Sequence, residues 1–286
     1  MIAYFIYVSR NVYLVLLYEV ATAYRFLPQQ ELYSNFNPSN NIQHKYTPNI
    51  LEVPYHVLII YSNLFCSGSL IGSLTVLTAA SCFWKYSDEK IMVKTGSSVI
   101  SDSGNTYLVE SIKFHEYYKH ISDTDNDIAL LLLKNHVVFG AGVKKVILVE
   151  PETVLRDNTP MRVSGWSTSK LTPKVGNVLL WSEMVVINRK ECKQSFKGLI
   201  TPSNFCGKFN IERRLYDNGG PAVYQDLLVG IMSFVNTNPN KPYFALFTNI
   251  SYFYRWIMLN TKYFLEKRCV DTRDTDLDMA TYEYTN

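Results

Sequence analysis

The sequence predicts an all-β protein, and three observations carry that prediction. Short runs rich in Val, Ile, Leu, Tyr and Phe recur along the chain with turn clusters between them, which reads as many strands and not as long helices. The chain has 286 residues, and an all-β unit of about 250 residues can form one domain. Its composition, 47% hydrophobic with a net charge of +3, suits a large buried core and excludes disorder by composition. That charge is too small, and its basic residues too scattered, to argue for nucleic acid.

The amino terminus reads as a secretory signal over residues 1–23. Arg10 precedes the apolar run 12–17, and Ala21-Thr22-Ala23 offers a small-x-small cleavage site before Tyr24. Arg10 and Glu19 interrupt the apolar stretch, which argues against a stable membrane span. Residues 24–41, rich in Asn, Gln, Pro and Tyr, read as a pro-region-like spacer. There follow VPYHVLI (53–59), CSGSLIGSLTVLTAASC (66–82), DNDIALLLL (125–133), VSGWS (163–167), YDNGGPAV (216–223), VGIMSF (229–234) and TNISYFYRWI (248–257). In this order the segments resemble the successive landmarks of the trypsin/chymotrypsin-like serine proteases (peptidase S1), over residues 42–261. The resemblance implies two packed six-stranded antiparallel β-barrels with a cleft between them and a short C-terminal helix. The boundary between the barrels is expected near residues 150–160. Residues 262–286 read as a polar, disordered tail. The Asn249–Ser251 sequon falls on a predicted strand, a poor place for a glycan.

The chemistry of the family is missing at the positions that should carry it. LTAASC (77–82) resembles the family's LTAAHC, which puts Ser81 where the general-base histidine belongs. A hydroxyl cannot take a proton at neutral pH as an imidazole does. GDSGGP reads Tyr216-Asp217-Asn218-Gly219-Gly220-Pro221, so Asn218 stands at the nucleophile, and a carboxamide does not attack an acyl group. Asp127 remains at the triad aspartate, whose task is to orient a histidine. Loss of the serine or the histidine alone costs about 10⁶ in turnover in the subtilisin example. Tyr216 replaces a glycine that lends an oxyanion N–H, and its bulk is expected to obstruct that hole.

The specificity pocket is altered too. Glu212, followed by Arg213 and Arg214, stands where trypsins carry the pocket aspartate, and S-W-G reads Ser233-Phe234-Val235. A narrowed or closed cleft is expected, with Val235 at its mouth. Counting back from Val53 reaches Ile42, which no basic residue precedes, so nothing looks built for activation by cleavage. Asp217 keeps the position that would pair with a new terminus, and it is expected to be hydrated, hydrogen-bonded or protonated. The histidines, His44, His56, His115, His120 and His136, are read as solvent-exposed or hydrogen-bonded structural groups.

Of the five cysteines, the resemblance implies the bridges Cys66–Cys82 and Cys192–Cys206, leaving Cys269 over. An odd cysteine in a secreted chain suggests a disulfide-linked dimer or a free thiol. No zinc-like spacing appears, and neither a metal nor a cofactor is expected. The expected function is that of a secreted, catalytically inactive serine protease homologue acting on extracellular proteins by binding, as protease cofactor, inhibitor decoy or recognition protein. The alternatives are an active serine-type endopeptidase with atypical catalytic residues, and a membrane-anchored or cross-linked structural protein.

Overall fold

Six strands of alternating or wholly apolar sequence build the first barrel: β1 (His56–Tyr61), β2 (Leu64–Leu70), β3 (Thr75–Thr78), β4 (Ile91–Thr95), β5 (Asn105–Phe114) and β6 (Ala129–Leu133). The computed structural model describes residues 50–61, 64–83, 90–101, 104–166, 178–209, 217–235 and 244–283, with side chains of the last helix described as far as Arg268. The signal, the spacer, Ile42, His44, Glu212 to Tyr216 and the turn-rich segment 236–242 lie outside those residues.

The strands of the first barrel pair in the order β1-β2-β3-β6-β5-β4, and β4 returns to β1 through Leu58↔Lys94 to Tyr61↔Ile91. Closure leaves no free edge. Strand β5 (NTYLVESIKF) alternates, and its residues are only half-buried or exposed. By contrast β6 (ALLLL) is buried along its whole length. One of its faces fills the barrel and the other lies under the closing helix, which explains an apolar run without alternation.

The second sheet holds β7 (Ile147–Leu148), β8 (Pro160–Gly165), β9 (Leu180–Val186), β10 (Asn204–Phe209), β11 (Pro221–Tyr224), β12 (Leu227–Val235) and β13 (Phe244–Asn249). Six of these run β11-β8-β9-β10-β13-β12, and β12 closes on β11, so the second barrel is also six-stranded and antiparallel. Strand β7 joins outside this ring, parallel to β12. The chain therefore enters the second sheet at Ile147, ahead of the boundary expected at 150–160, because two residues of the crossover already pair with Leu227 and Leu228.

Among the described residues two α-helices complete the fold. Helix α1 (Arg189–Ser195) is capped by Asn188, whose side chain accepts from the Glu191 N–H. The disulfide Cys192–Cys206 ties it to β10, and Cys66–Cys82 links β2 to the turn that carries Ser81, both as the resemblance implied. A bridge across 16 residues contributes roughly 3 kcal/mol on the loop-entropy account.

Helix α2 (Ile250–Glu283) is longer than the short helix expected, and it continues through the segment read as a polar tail. Its first four turns carry an apolar stripe, Ile250, Phe253, Ile257 and Phe264, buried at helical spacing. Beyond it the Arg268 guanidinium donates to the carbonyls of Leu133 (2.9 Å) and Lys134 and pairs with Glu110 at 3.1 Å. The Asn249 side chain accepts from the Ser251 N–H at 3.1 Å, so the sequon asparagine serves as the helix cap. Cys269 lies in α2, with its side chain outside the described part. Among the described residues no helix is long and apolar enough to cross a membrane.

Candidate functional site

Asp127 precedes β6 and is 1% exposed. Its carboxylate accepts from the Ser81 N–H at 2.7 Å, from Ser81 Oγ at 2.9 Å and from the Ser233 hydroxyl. The Ala80 N–H adds a further bond, and the Asp127 carbonyl accepts from Thr248 Oγ1 at 2.7 Å. Burial pushes the carboxyl above its ordinary range, and the hydrogen bonds from Ser233 and Ser81 pull it back. The donors come from both barrels: Ala80 and Ser81 from the turn after β3, Ser233 and Thr248 from β12 and β13. Where a catalytic imidazole would donate to this carboxylate, a serine does so directly. Asn218 lies alongside, its carbonyl accepting from the Ser67 N–H at 2.9 Å and standing 3.6 Å from the Cys82 sulfur. The turn after β3, the residue before β6 and the turn before β11 thus converge at one place.

Next to them lies a second buried network. The Asp217 carboxylate accepts from the Trp166 N–H and from Ser67 Oγ at 3.2 Å. Of the three states expected for this group, it takes the hydrogen-bonded one. Ser67 spends its only proton on Asp217, so His56 Nε2, 2.9 Å away, must donate to Ser67. His56 Nδ1 then accepts from Ser164 Oγ at 2.8 Å. The ring is 1% exposed and meets Trp166 edge-on at 5.9 Å. With both nitrogens engaged and the ring desolvated, burial pushes its pKa down to about 3.

A comparison with known proteins agrees with this architecture. The trypsin family model matches residues 42–257. The chain belongs to the trypsin family. Within that family, trypsin-3 of Homo sapiens is 31% identical over 231 residues, 78% of this chain and 73% of that protein. The transmembrane protease serine 11C of Mus musculus is 29% identical over 208 residues, 68% of this chain, and the chain spans only 48% of that relative. Among solved structures, the scabies mite inactivated protease paralogue S-I1 matches with a TM-score of 0.66 and 25% identity, covering 75% of this chain and 96% of that one.

Within this trypsin-family fold, Ser81, Asp127 and Asn218 come together with Asp217 close by, but the part played by Ser233 was not foreseen from the sequence. Its hydroxyl holds Asp127. Phe234 is 39% exposed and packs edge-on against Phe196, with ring centroids 5.9 Å apart. Val235 belongs to the hydrophobic core, paired with Ala245. Tyr216 and Glu212 lie outside the described residues. Among the described residues no histidine hydrogen-bonds to Ser81, Asp127 or Asn218; His136 bonds Ser73, and His115 accepts from the Tyr117 N–H. The His56 network also went unread, since its serines are separated from the ring by 11 and 108 positions.

The buried ring makes stability depend on pH. An unfolded histidine titrates near 6.5, whereas His56 in the fold titrates at about 3. Between these values the unfolded chain binds a proton that the folded chain does not. His56 therefore supports the fold fully above about pH 6.5, and its contribution falls by up to ~1.4 kcal/mol per pH unit on acidification. His56→Gln is expected to flatten the acid limb of a Tm-versus-pH curve between pH 7 and 4. Parallel curves for the two proteins are the result that would count against this.

Proposed function

We propose that this trypsin-family chain is a secreted, catalytically inactive homologue that acts by binding extracellular proteins. The observation that supports this most is the direct hydrogen bond from Ser81 to Asp127 at 2.9 Å, which takes the place of a histidine bridge. Asn218, at the nucleophile position, has no acyl-transfer chemistry to offer. The scabies mite protein S-I1, described as an inactivated protease paralogue, gives a precedent for this scaffold without its chemistry. Two disulfides suit an oxidising compartment, in keeping with the signal read over residues 1–23. The domain proposed runs over 42–261, and the work proposed is that of protease cofactor, inhibitor decoy or recognition protein. A disulfide-linked dimer through Cys269 belongs to the same proposal, and a monomer-only mass under non-reducing conditions removes it.

One contact favours the alternative of an active endopeptidase: a serine hydroxyl 2.9 Å from a carboxylate is a nucleophile beside a base. Treating the purified protein with a serine-directed phosphonate separates the two readings. The expected result is no adduct in the intact mass, together with no turnover of peptide esters. An adduct on Ser81 overturns the inactive reading. A cross-linked pull-down from the native fluid then identifies the partner, with a protease or protease inhibitor expected.

A further inference from the structure

The loop that follows β5 and the first turns of α2 enclose a cleft of about 600 Å³ that includes none of Ser81, Asp127, Asn218 or Phe234. Its wall is aromatic. The His115 ring lies 5.1 Å from Phe253, 5.2 Å from Trp256 and 6.2 Å from Tyr117, centroid to centroid. Around it stand three large apolar side chains in water: Tyr117 (64% exposed), Ile121 (70%) and Tyr252 (57%). From Tyr252 the strip runs on along one face of α2 through Trp256, Leu259 and Tyr263, at spacings of four, three and four residues. Leu259 and Tyr263 are 68% and 60% exposed. At ~1.5 Å per residue such a strip is roughly 16 Å long, more than a small molecule covers.

The polar groups of the cleft decide what it can accept. Asp125 is 3% exposed, and its oxygens already accept from Ile121 N–H, Asn126 Nδ2 and Ser203 Oγ. His115 Nδ1 accepts from the Tyr117 N–H at 3.2 Å, and burial holds the ring neutral, so its proton sits on Nε2. That N–H has no hydrogen-bond partner among the described residues. Arg255 is 84% exposed, and its nearest carboxylate, Glu152, is 4.0 Å away and 88% exposed, a pair worth little in water. The cleft therefore leaves open the His115 Nε2–H and the Arg255 cation beside aromatic faces, while the Asp125 carboxylate is occupied and that of neighbouring Glu116 is held by Trp256 Nε1 at 2.9 Å and Lys113 at 2.6 Å.

We infer that this cleft and the strip beyond it form a docking site for an acidic segment of a partner protein, with an aromatic side chain against His115 and Trp256 and a carboxylate on Arg255. The inference rests on the reading that the chain acts by binding, and it names the place and the chemistry. Flat rings stack without strict sequence demands, and the guanidinium takes a carboxylate in a bidentate fork. The strip on α2 gives the partner's chain a path to follow out of the cleft.

Three labelled peptides titrated against the full-length secreted protein by fluorescence anisotropy test this: one alternating Glu and Tyr, one Glu and Ala, one Lys and Tyr. The Glu-Tyr peptide is expected to bind at least about tenfold more tightly than either control, the order of one good charged contact. Arg255→Ala is expected to weaken it by a similar factor and to leave Tm unchanged, given the exposure of that side chain. Tyr252→Ala, at a second exposed position, is expected to do the same. Equal binding of all three peptides, preference for the lysine peptide, or full affinity in both variants overturns the site. So does a native partner whose capture survives both substitutions, an outcome that leaves the binding function standing. A phosphonate adduct would instead sink that function without altering the peptide ranking.

Discussion

Gly219→Ala is expected to lower both secreted yield and Tm sharply. Gly219 has φ +84°, in the left-handed region, and a Cβ there runs into the Ser67 carbonyl oxygen and Thr78 Oγ1. Both obstacles belong to buried strands, β2 and β3, of the first barrel, while the Gly219 N–H donates to Met232 of β12 at 2.8 Å. The turn is the seam between the barrels, so the clash cannot be relieved by moving one side chain. The left-handed backbone costs ~1–2 kcal/mol, and overpacking a closed site adds ~1–3 kcal/mol or more. Against a total stability of about 5–15 kcal/mol that removes a large share of the margin that holds the fold. Gly198→Ala is the control: φ is +76°, but nothing lies within 4 Å of the added carbon. Secreted yield and Tm compare the two, and a loss at Gly219 no larger than at Gly198 defeats the prediction.

Asp127→Ala should lower Tm by roughly 5–15 °C. The substitution strips the acceptor from two backbone N–H groups and two hydroxyls, of Ala80, Ser81 and Ser233. The hydroxyls can turn elsewhere, but the N–H groups cannot, which sets the cost near 2–4 kcal/mol. For a domain of this size each kcal/mol is ~2–4 °C. Asp127→Asn, which keeps one acceptor oxygen, should fall between the two. A Tm unchanged in the alanine variant would show that Asp127 is a relic of lost chemistry and not a joint between barrels. Because burial raises this carboxyl, its pH effect has the opposite sign to that of His56: the folded state holds its proton more tightly, so this group favours folding as pH falls.

Both barrels and the converging turns were implied by the family resemblance, and one physical reason makes that resemblance visible. Motifs such as LTAASC and YDNGGPAV combine strand, turn and site in a few contiguous residues, so local order fixes local geometry. What stayed hidden depends on contacts between distant residues. Ser67 reaches Asp217 across 150 positions, and Ser233 reaches Asp127 across 106. A serine in a strand carries no sign of which carboxylate it will meet. The length of α2 is a different case. The segment 248–257 was read as the closing helix, but its apolar stripe ends at Phe264, and the polar sequence beyond carries no apolar spacing to mark the continuation. At the pocket edge Val235 is buried in the core and its neighbour Phe234 is exposed, an assignment of faces that the sequence alone does not make.

Arg268 fastens itself to Leu133, 135 residues earlier in the chain. A ribosome adding ~5–20 residues per second takes about 7–27 s to cover that distance. Throughout that interval the nascent first barrel has all six strands and the Cys66–Cys82 bridge to hold it, but its outer face at β6 is still bare. The outward-facing side chains of the apolar ALLLL segment are then open to water and to any chaperone in reach. The time of greatest risk for this protein is therefore during its synthesis, and it ends when the last helix arrives.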